Sequence, residues 1–196
     1  MEVGACADPP ICDTAAVLVN PGTGRYRVLK MPDPVNLFTG CFVWSPDART
    51  LACESQGQTD PGLTGIYTIR TSDGHGLTRI TSNPGGDDFP IDYSPDGTQI
   101  AFERLGSLFV VHPDGSGLAK IPLAINGGQY AAGDFSWSPN GTKLVFGLFG
   151  VPGSSGLQPG LATSNADGSH VQQMTVHRTR DEQPEKPDWG PHPLIP

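Results

Sequence analysis

An all-β fold built from repeats of four short strands is the class this sequence predicts, and three features predict it. A motif recurs: FVWSPDARTLACES at 42–55 returns as IDYSPDGTQIAFER from Ile91 and as FSWSPNGTKLVFGL from Phe135. A second motif alternates with it, GIYTIRTSDGHGLTRIT from Gly65, SLFVVHPDGSGLAKIP from Ser107 and GLATSNADGSHVQQMT from Gly160. Finally, 26 Gly and 20 Pro among 196 residues are far too many helix breakers for a helical bundle.

Each copy of the first motif is an aromatic residue, a tight Ser-Pro-Asp or Ser-Pro-Asn turn and an alternating apolar run, which specifies a β-hairpin. Each copy of the second is a strand, an Asp-Gly turn and a further strand. There Gly supplies a positive φ and the Asp carboxylate accepts a backbone N–H. In chain order, residues 13–32 form a hairpin of the second kind, three complete pairs of hairpins follow, and PDWGPHP from Pro187 is a truncated first motif. One repeat is therefore strand A, Ser-Pro-Asp turn, strand B, loop, strand C, Asp-Gly turn, strand D, loop. The repeated Ser falls at Ser45, Ser94 and Ser138, with Gly190 in the last copy, at spacings of 49, 44 and 52 residues. That period with four strands is the arithmetic of a β-propeller blade, whose two faces are buried only when blades stack. Trp44, Tyr93, Trp137 and Trp189 hold equivalent places on strand A and are expected to pack between blades.

The order WSPD, apolar strand, IYTI or LFVV, DGxG and closing LT or IP resembles the TolB-type, WD-like propeller repeat. The resemblance covers nearly the whole chain and implies a single propeller domain over 1–196, with blades at about 41–82, 89–122 and 133–176. A composite or incomplete blade would join 1–32 to 184–191, for about four sectors. Residues 2–7 would then form a weak strand B between Trp189 and the sheet of Val17 and Val28. The alternative is an open arc cut from a larger six- or seven-bladed ring. The family includes binding proteins, peptidase-associated propellers and lyases, so it implies a fold more than a function.

A net charge of −8 with only 12 Lys and Arg argues against nucleic acid as a partner. No apolar run is long enough to span a membrane, and MEVGACADPP lacks the basic and apolar regions of an export signal. The four cysteines fall in the first 53 residues at spacings of six (Cys6, Cys12) and twelve (Cys41, Cys53), which are not CxxC metal pairs. If the first Ser-Pro hairpin pairs residues whose numbers sum to 94, Cys41 faces Cys53, within bridging distance. Disulfides and buried thiols both remain open for these pairs. The cysteine pattern and the family resemblance together point to an extracytoplasmic protein, periplasmic or secreted.

Propeller strand order puts the D-to-A and B-to-C connections on one face and the A-to-B and C-to-D turns on the other. The turns are stereotyped and read as structure, whereas the connections differ from blade to blade, which is where binding residues concentrate. That loop face carries Asp60, Asp87, Asp88, Gln129, Tyr130, Asp134, Arg180, Asp181, Glu182 and Glu185. These residues describe either an ordinary solvated rim or an acidic mouth suited to a basic peptide, a cation or a cationic partner. The Asp-Gly turns supply one carboxylate each, too few for calcium. The five His are scattered, GxSxG is absent, and Asn140-Gly-Thr occupies the same turn as Asp47 and Asp96. No metal, cofactor or catalytic residue is assigned. The expected role is a non-catalytic propeller that binds a protein or peptide. The alternative is an enzyme, or an enzyme's accessory domain, that takes carbohydrate or peptide in the central funnel.

Overall fold

The structure is a computed structural model that describes residues 5–6, 12–13, 15–30, 37–57, 60–125, 128–129, 131–149, 160–175, 187 and 189. It is nearly all β, with no α-helix among these residues. β1 (Ala5–Cys6) pairs with β2 (Cys12–Asp13), and β3 (Ala15–Val19) pairs with β4 (Tyr26–Lys30). The first complete blade is β5 (Leu37–Trp44), β6 (Thr50–Gly57), β7 (Gly65–Arg70) and β8 (Thr78–Arg79). The second is β9 (Asp88–Tyr93), β10 (Ile100–Arg104), β11 (Ser107–Val111) and β12 (Ala119–Lys120). A small hairpin of β13 (Ala124–Ile125) and β14 (Gly128–Gln129) precedes the third blade. That blade is β15 (Ala131–Trp137), β16 (Lys143–Phe149), β17 (Gly160–Asn165) and β18 (Gln172–Gln173). In all three the sheet order is A-B-C-D, antiparallel throughout, as the alternating hairpins predict.

Because side chains alternate along a strand, a blade can bury both faces, and the first and second blades each sit in two cores. Ala52 and Ile66 of the first blade meet Tyr93, Ile100, Phe102 and Val111 of the second. The opposite face of the second blade gives Ala101, Leu108 and Val110 to a core with Phe135, Trp137, Leu144 and Phe146 of the third. On the other side of the first blade, Leu51, Cys53 and Ile69 pack with Leu29, Ala16 and Leu18 of the β3–β4 pair.

Every Ser-Pro turn is held the same way. Ser45 Oγ donates to Asp47 Oδ1 at 2.7 Å and accepts from the Thr50 amide at 3.0 Å, closing the hairpin from inside. Ser94 with Asp96, and Ser138 with Asn140, repeat these bonds at 2.6 and 2.8 Å. The C-to-D turns match their prediction too: Asp73, Asp114 and Asp167 each accept the amide two residues on, at 2.9 Å. These turns also touch the neighbouring blade. A Cβ added at Gly115 would lie 3.1 Å from Ile80 O, and one at Gly168 would lie 2.6 Å from Ile121 Cγ2. Both glycines also have positive φ, so close approach and turn geometry together require glycine.

Three expectations need correction. The pairing sum of 94 holds for Cys41 with Cys53, which form a disulfide, but Trp44 pairs with Leu51 because a bulge lies between Cys41 and Val43. Strand A of the other blades has an equivalent shift, between Pro90 and Asp92 opposite Phe102 and Ala101, and between Ala132 and Phe135. Secondly, Ala5–Cys6 do not lie beside Val17; they pair with Cys12–Asp13, which sets Cys6 opposite Cys12. Thirdly, Tyr93 and Trp137 are buried between blades, at 4% and 5% exposure, but Trp44 is 46% exposed. Tyr93 OH reaches Thr50 Oγ1 of the preceding A–B hairpin at 3.4 Å. Trp189 is half-buried and its indole N–H donates to Ser136 O at 3.1 Å, which sets it against the third blade.

Candidate functional site: the loop face

The two faces differ as the strand order requires. Between strands B and C the first blade has residues 58–64, the second only 105–106 and the third 150–159, while the A-to-B turns are near copies. Where the first and second blades meet, the loop face is the best described, and it is built around Asp88.

Asp88 begins strand A of the second blade and is register partner to Arg104 at the end of strand B. Its side chain is fully buried, at 0% exposure, and both its oxygens are engaged. Arg104 donates through Nε and Nη2 at 2.6 Å each, a bidentate pair. Asn83 Nδ2 donates at 2.9 Å and the Thr81 hydroxyl completes the set. Thr81 Oγ1 in turn accepts the Ile66 amide at 2.8 Å, so the network ties the second blade to strand C of the first. The Arg104 guanidinium carbon lies 5.4 Å from the ring centres of both Phe102 and Phe109. Its hydrogen bonds to Asp88 push the Arg104 pKa above its usual range.

This is a correction to the expected acidic mouth. Asp88 was expected as an exposed loop carboxylate, but it is an inward-facing group neutralised by Arg104, and it cannot touch a partner. Arg79 adds a positive charge to the same face. It reaches Thr64 O, Thr81 O and Ser82 Oγ at 2.8 to 2.9 Å and has no carboxylate in any of these bonds.

The remaining expected residues are placed as follows. Asp60 is exposed and caps the 3-10 turn Pro61–Leu63, accepting the Gly62 amide at 2.8 Å. Asp87 is half-buried in the D-to-A connection, one residue before Asp88. The Asn83 amide donates to Thr64 O at 3.0 Å, so the loops carrying Asp60 and Asp87 adjoin. Gln129 lies in β14 opposite Ala124, and Asp134 lies at the bulge of β15. Tyr130, Arg180, Asp181, Glu182 and Glu185 lie outside the described residues. Among the described residues no three His, Cys, Asp or Glu side chains gather in a metal-binding group.

Three participants were not anticipated: Arg104, Leu105 and Phe89. Leu105 is 79% exposed and has φ +50 at the first position of the 105–106 turn, while Phe89 is 43% exposed. The signal in the sequence was Leu-Gly at a two-residue hairpin, where Asn-Gly or Asp-Gly is the norm.

No protein-family model matches the sequence, and neither does any curated protein. Solved structures do match. A putative TolB from Agrobacterium tumefaciens is 25% identical with a TM-score of 0.59, over 82% of this chain and 56% of that one. The match to a nidogen/laminin complex has 14% identity and a TM-score of 0.58, over 82% and 57%. An oligogalacturonate lyase in complex with manganese matches at 16% identity and a TM-score of 0.59, over 83% and 47%. The chain thus spans about half the length of these structures, which include both an enzyme and a protein complex. With four-stranded antiparallel blades stacked through paired cores, and with these neighbours, the chain is a TolB-like β-propeller.

Proposed function

We propose that this propeller is a non-catalytic binding module that presents its loop face to a protein or peptide partner. One observation carries the proposal: the two faces divide their labour. On the turn face the Ser-Pro and Asp-Gly turns repeat and are consumed in holding hairpins and contacting the next blade. On the loop face the connections differ in length and sequence, and they are stiffened from beneath by the Asp88–Arg104 network. A varied surface on a rigid scaffold suits recognition. Asp60 and Asp87, which enter no ion pair among the described residues, bias that surface towards a basic partner. Gln129, Tyr130, Asp134, Arg180, Asp181, Glu182 and Glu185 belong to the same proposed face. The Cys41–Cys53 disulfide supports an extracytoplasmic site of action, periplasmic or secreted, since such bonds persist in oxidising compartments. No helix among the described residues is long and apolar enough to cross a membrane.

Affinity capture from the native extract on the immobilised chain tests the proposal. The double substitution Asp60→Lys and Asp87→Lys is expected to lose the stoichiometric partner that the wild type retains, with melting temperature lowered only slightly by loss of the exposed Asp60 cap. Asp96→Ala should lower the melting temperature and keep the partner. Loss of the partner with Asp96→Ala alone would place the binding face on the turns.

A further inference from the structure

The tip of the second blade carries a feature that its fold does not require. Among the described residues only Ala48, Leu105 and His170 adopt positive φ without being glycine, and Leu105 is the one bulky apolar side chain of the three. It stands in the left-handed region, which Asn, Asp or Gly occupies at little cost in such a turn. Its side chain is exposed, resting beside the D-to-A loop: a Cβ added at Gly86 would lie 3.2 Å from Leu105 Cδ2. Directly below is the bidentate Arg104–Asp88 pair.

That pair is also more than blade geometry needs. Thr39 with Ser55, Asp88 with Arg104, and Ala132 with Leu148 are register partners at the same place in the three blades. The third blade is built there from Ala and Leu. Of these three register pairs only Asp88 with Arg104 is an ion pair, and it clamps the strands beneath the tip of the second blade. An apolar residue held exposed, in an unfavourable conformation, on an immobilised two-residue turn has the properties of a preorganised binding anchor.

The surrounding charge defines what it meets. Among the described residues of these loops, Asp88 and Arg104 cancel, Arg79 contributes one positive charge, and Asp60 and Asp87 contribute two negative ones. Phe89, next to Asp88 in the same strand, is a second exposed apolar side chain of this blade. We propose that Leu105 is the apolar anchor of the loop face, and that its ligand is a basic peptide segment of a partner protein, carrying a bulky apolar side chain flanked by Lys or Arg. This rests on the loop-face reading proposed above and names the ligand chemistry of that face.

The test uses the full chain as bait for a random peptide library displayed on phage, followed by binding titrations with the selected synthetic peptides. Selected peptides are expected to combine an aromatic or aliphatic residue with neighbouring Lys or Arg. Their affinity should fall at least about tenfold for Leu105→Asn, a substitution that suits the left-handed φ and therefore keeps or raises the melting temperature. Affinity should also fall with added salt. Peptides that bind Leu105→Asn as well as wild type, yet are lost with Asp60→Lys and Asp87→Lys, would overturn the anchor and leave the loop face standing. Peptides lost only with Asp96→Ala or Asp114→Ala would overturn both.

Discussion

At the scale of single residues, the repeats act as internal controls for one another. Ala48 has φ +57 where the equivalent residues of the next two blades, Gly97 and Gly141, have +71 and +69. Only Ala48 carries the steric cost of a Cβ in the left-handed region, so Ala48→Gly should raise stability by about 0.5 to 1 kcal/mol in denaturant titration. The carboxylates of the turns make a second prediction. Asp47 and Asp96 have pKa values lowered by the Ser45 and Ser94 hydroxyls, and Asp114 and Asp167 by Ser116 and Ser169. In Asp73 the His75 amide is the main cause. A carboxyl group depressed in the folded state contributes stability above its unfolded pKa, and that contribution is lost as pH falls through the folded value. Melting temperature should therefore drop as the pH passes below about 4. Asp96→Asn, which copies Asn140, should flatten the drop while leaving neutral-pH stability nearly unchanged. These turn bonds were legible in the sequence because Ser-Pro-Asp and Asp-Gly are local chemistry. The burial of Asp88 was not, since its partners Arg104, Thr81 and Asn83 are joined to it by sheet register and by a neighbouring blade.

The strand pairs and blades show where alternation of apolar residues suffices and where it does not. The A-B-C-D order and the hairpin positions followed from period-two patterning and turn residues, whereas Cys41 faces Cys53 only because the bulge offsets the one-residue difference in turn register. The bulge in strand A did not follow from them: it shifts the alternation by one residue, so that 88, 90 and 93 are the buried positions of β9, and so short a run does not reveal that shift in advance. Cluster membership of Trp137 yields a prediction at this scale: it is 5% exposed among residues of both the second and third blades, so Trp137→Ala should cost roughly 3 to 5 kcal/mol. An unchanged melting temperature would refute its role as an interblade plug. For the buried ion pair, Asp88→Ala alone strands the Arg104 charge and should cost about 3 to 5 kcal/mol. The double variant Asp88→Ala and Arg104→Leu recreates the Ala132–Leu148 pair and should recover most of that loss, which a double-mutant cycle would register as strong coupling. Equal losses in the single and double variants would mean that the surrounding blade cannot accept an apolar pair there.

For the whole molecule, the fold was legible from the doubled motif alone, since three near-complete repeats of four strands admit few architectures. The candidate site was legible only as a face. Strand order separated the varied connections from the repeated turns, but loop composition overstated the negative charge beside the described connections, because Arg79 and Arg104 lie within or beside segments that read as ordinary strands. Exposed Leu105 was overlooked because a two-residue turn carries no loop to attract attention. The central claim is that the loop face of this propeller is its binding surface and the turn face its scaffold. Amide hydrogen exchange on the full chain, with and without the partner captured from extract, tests it most directly. The account predicts slowed exchange at 60–64, 83–87 and 105–106 on complex formation, with no change at 46–49, 96–98 or 114–116. Protection confined to the turn segments, with the loop segments unaffected, would contradict it.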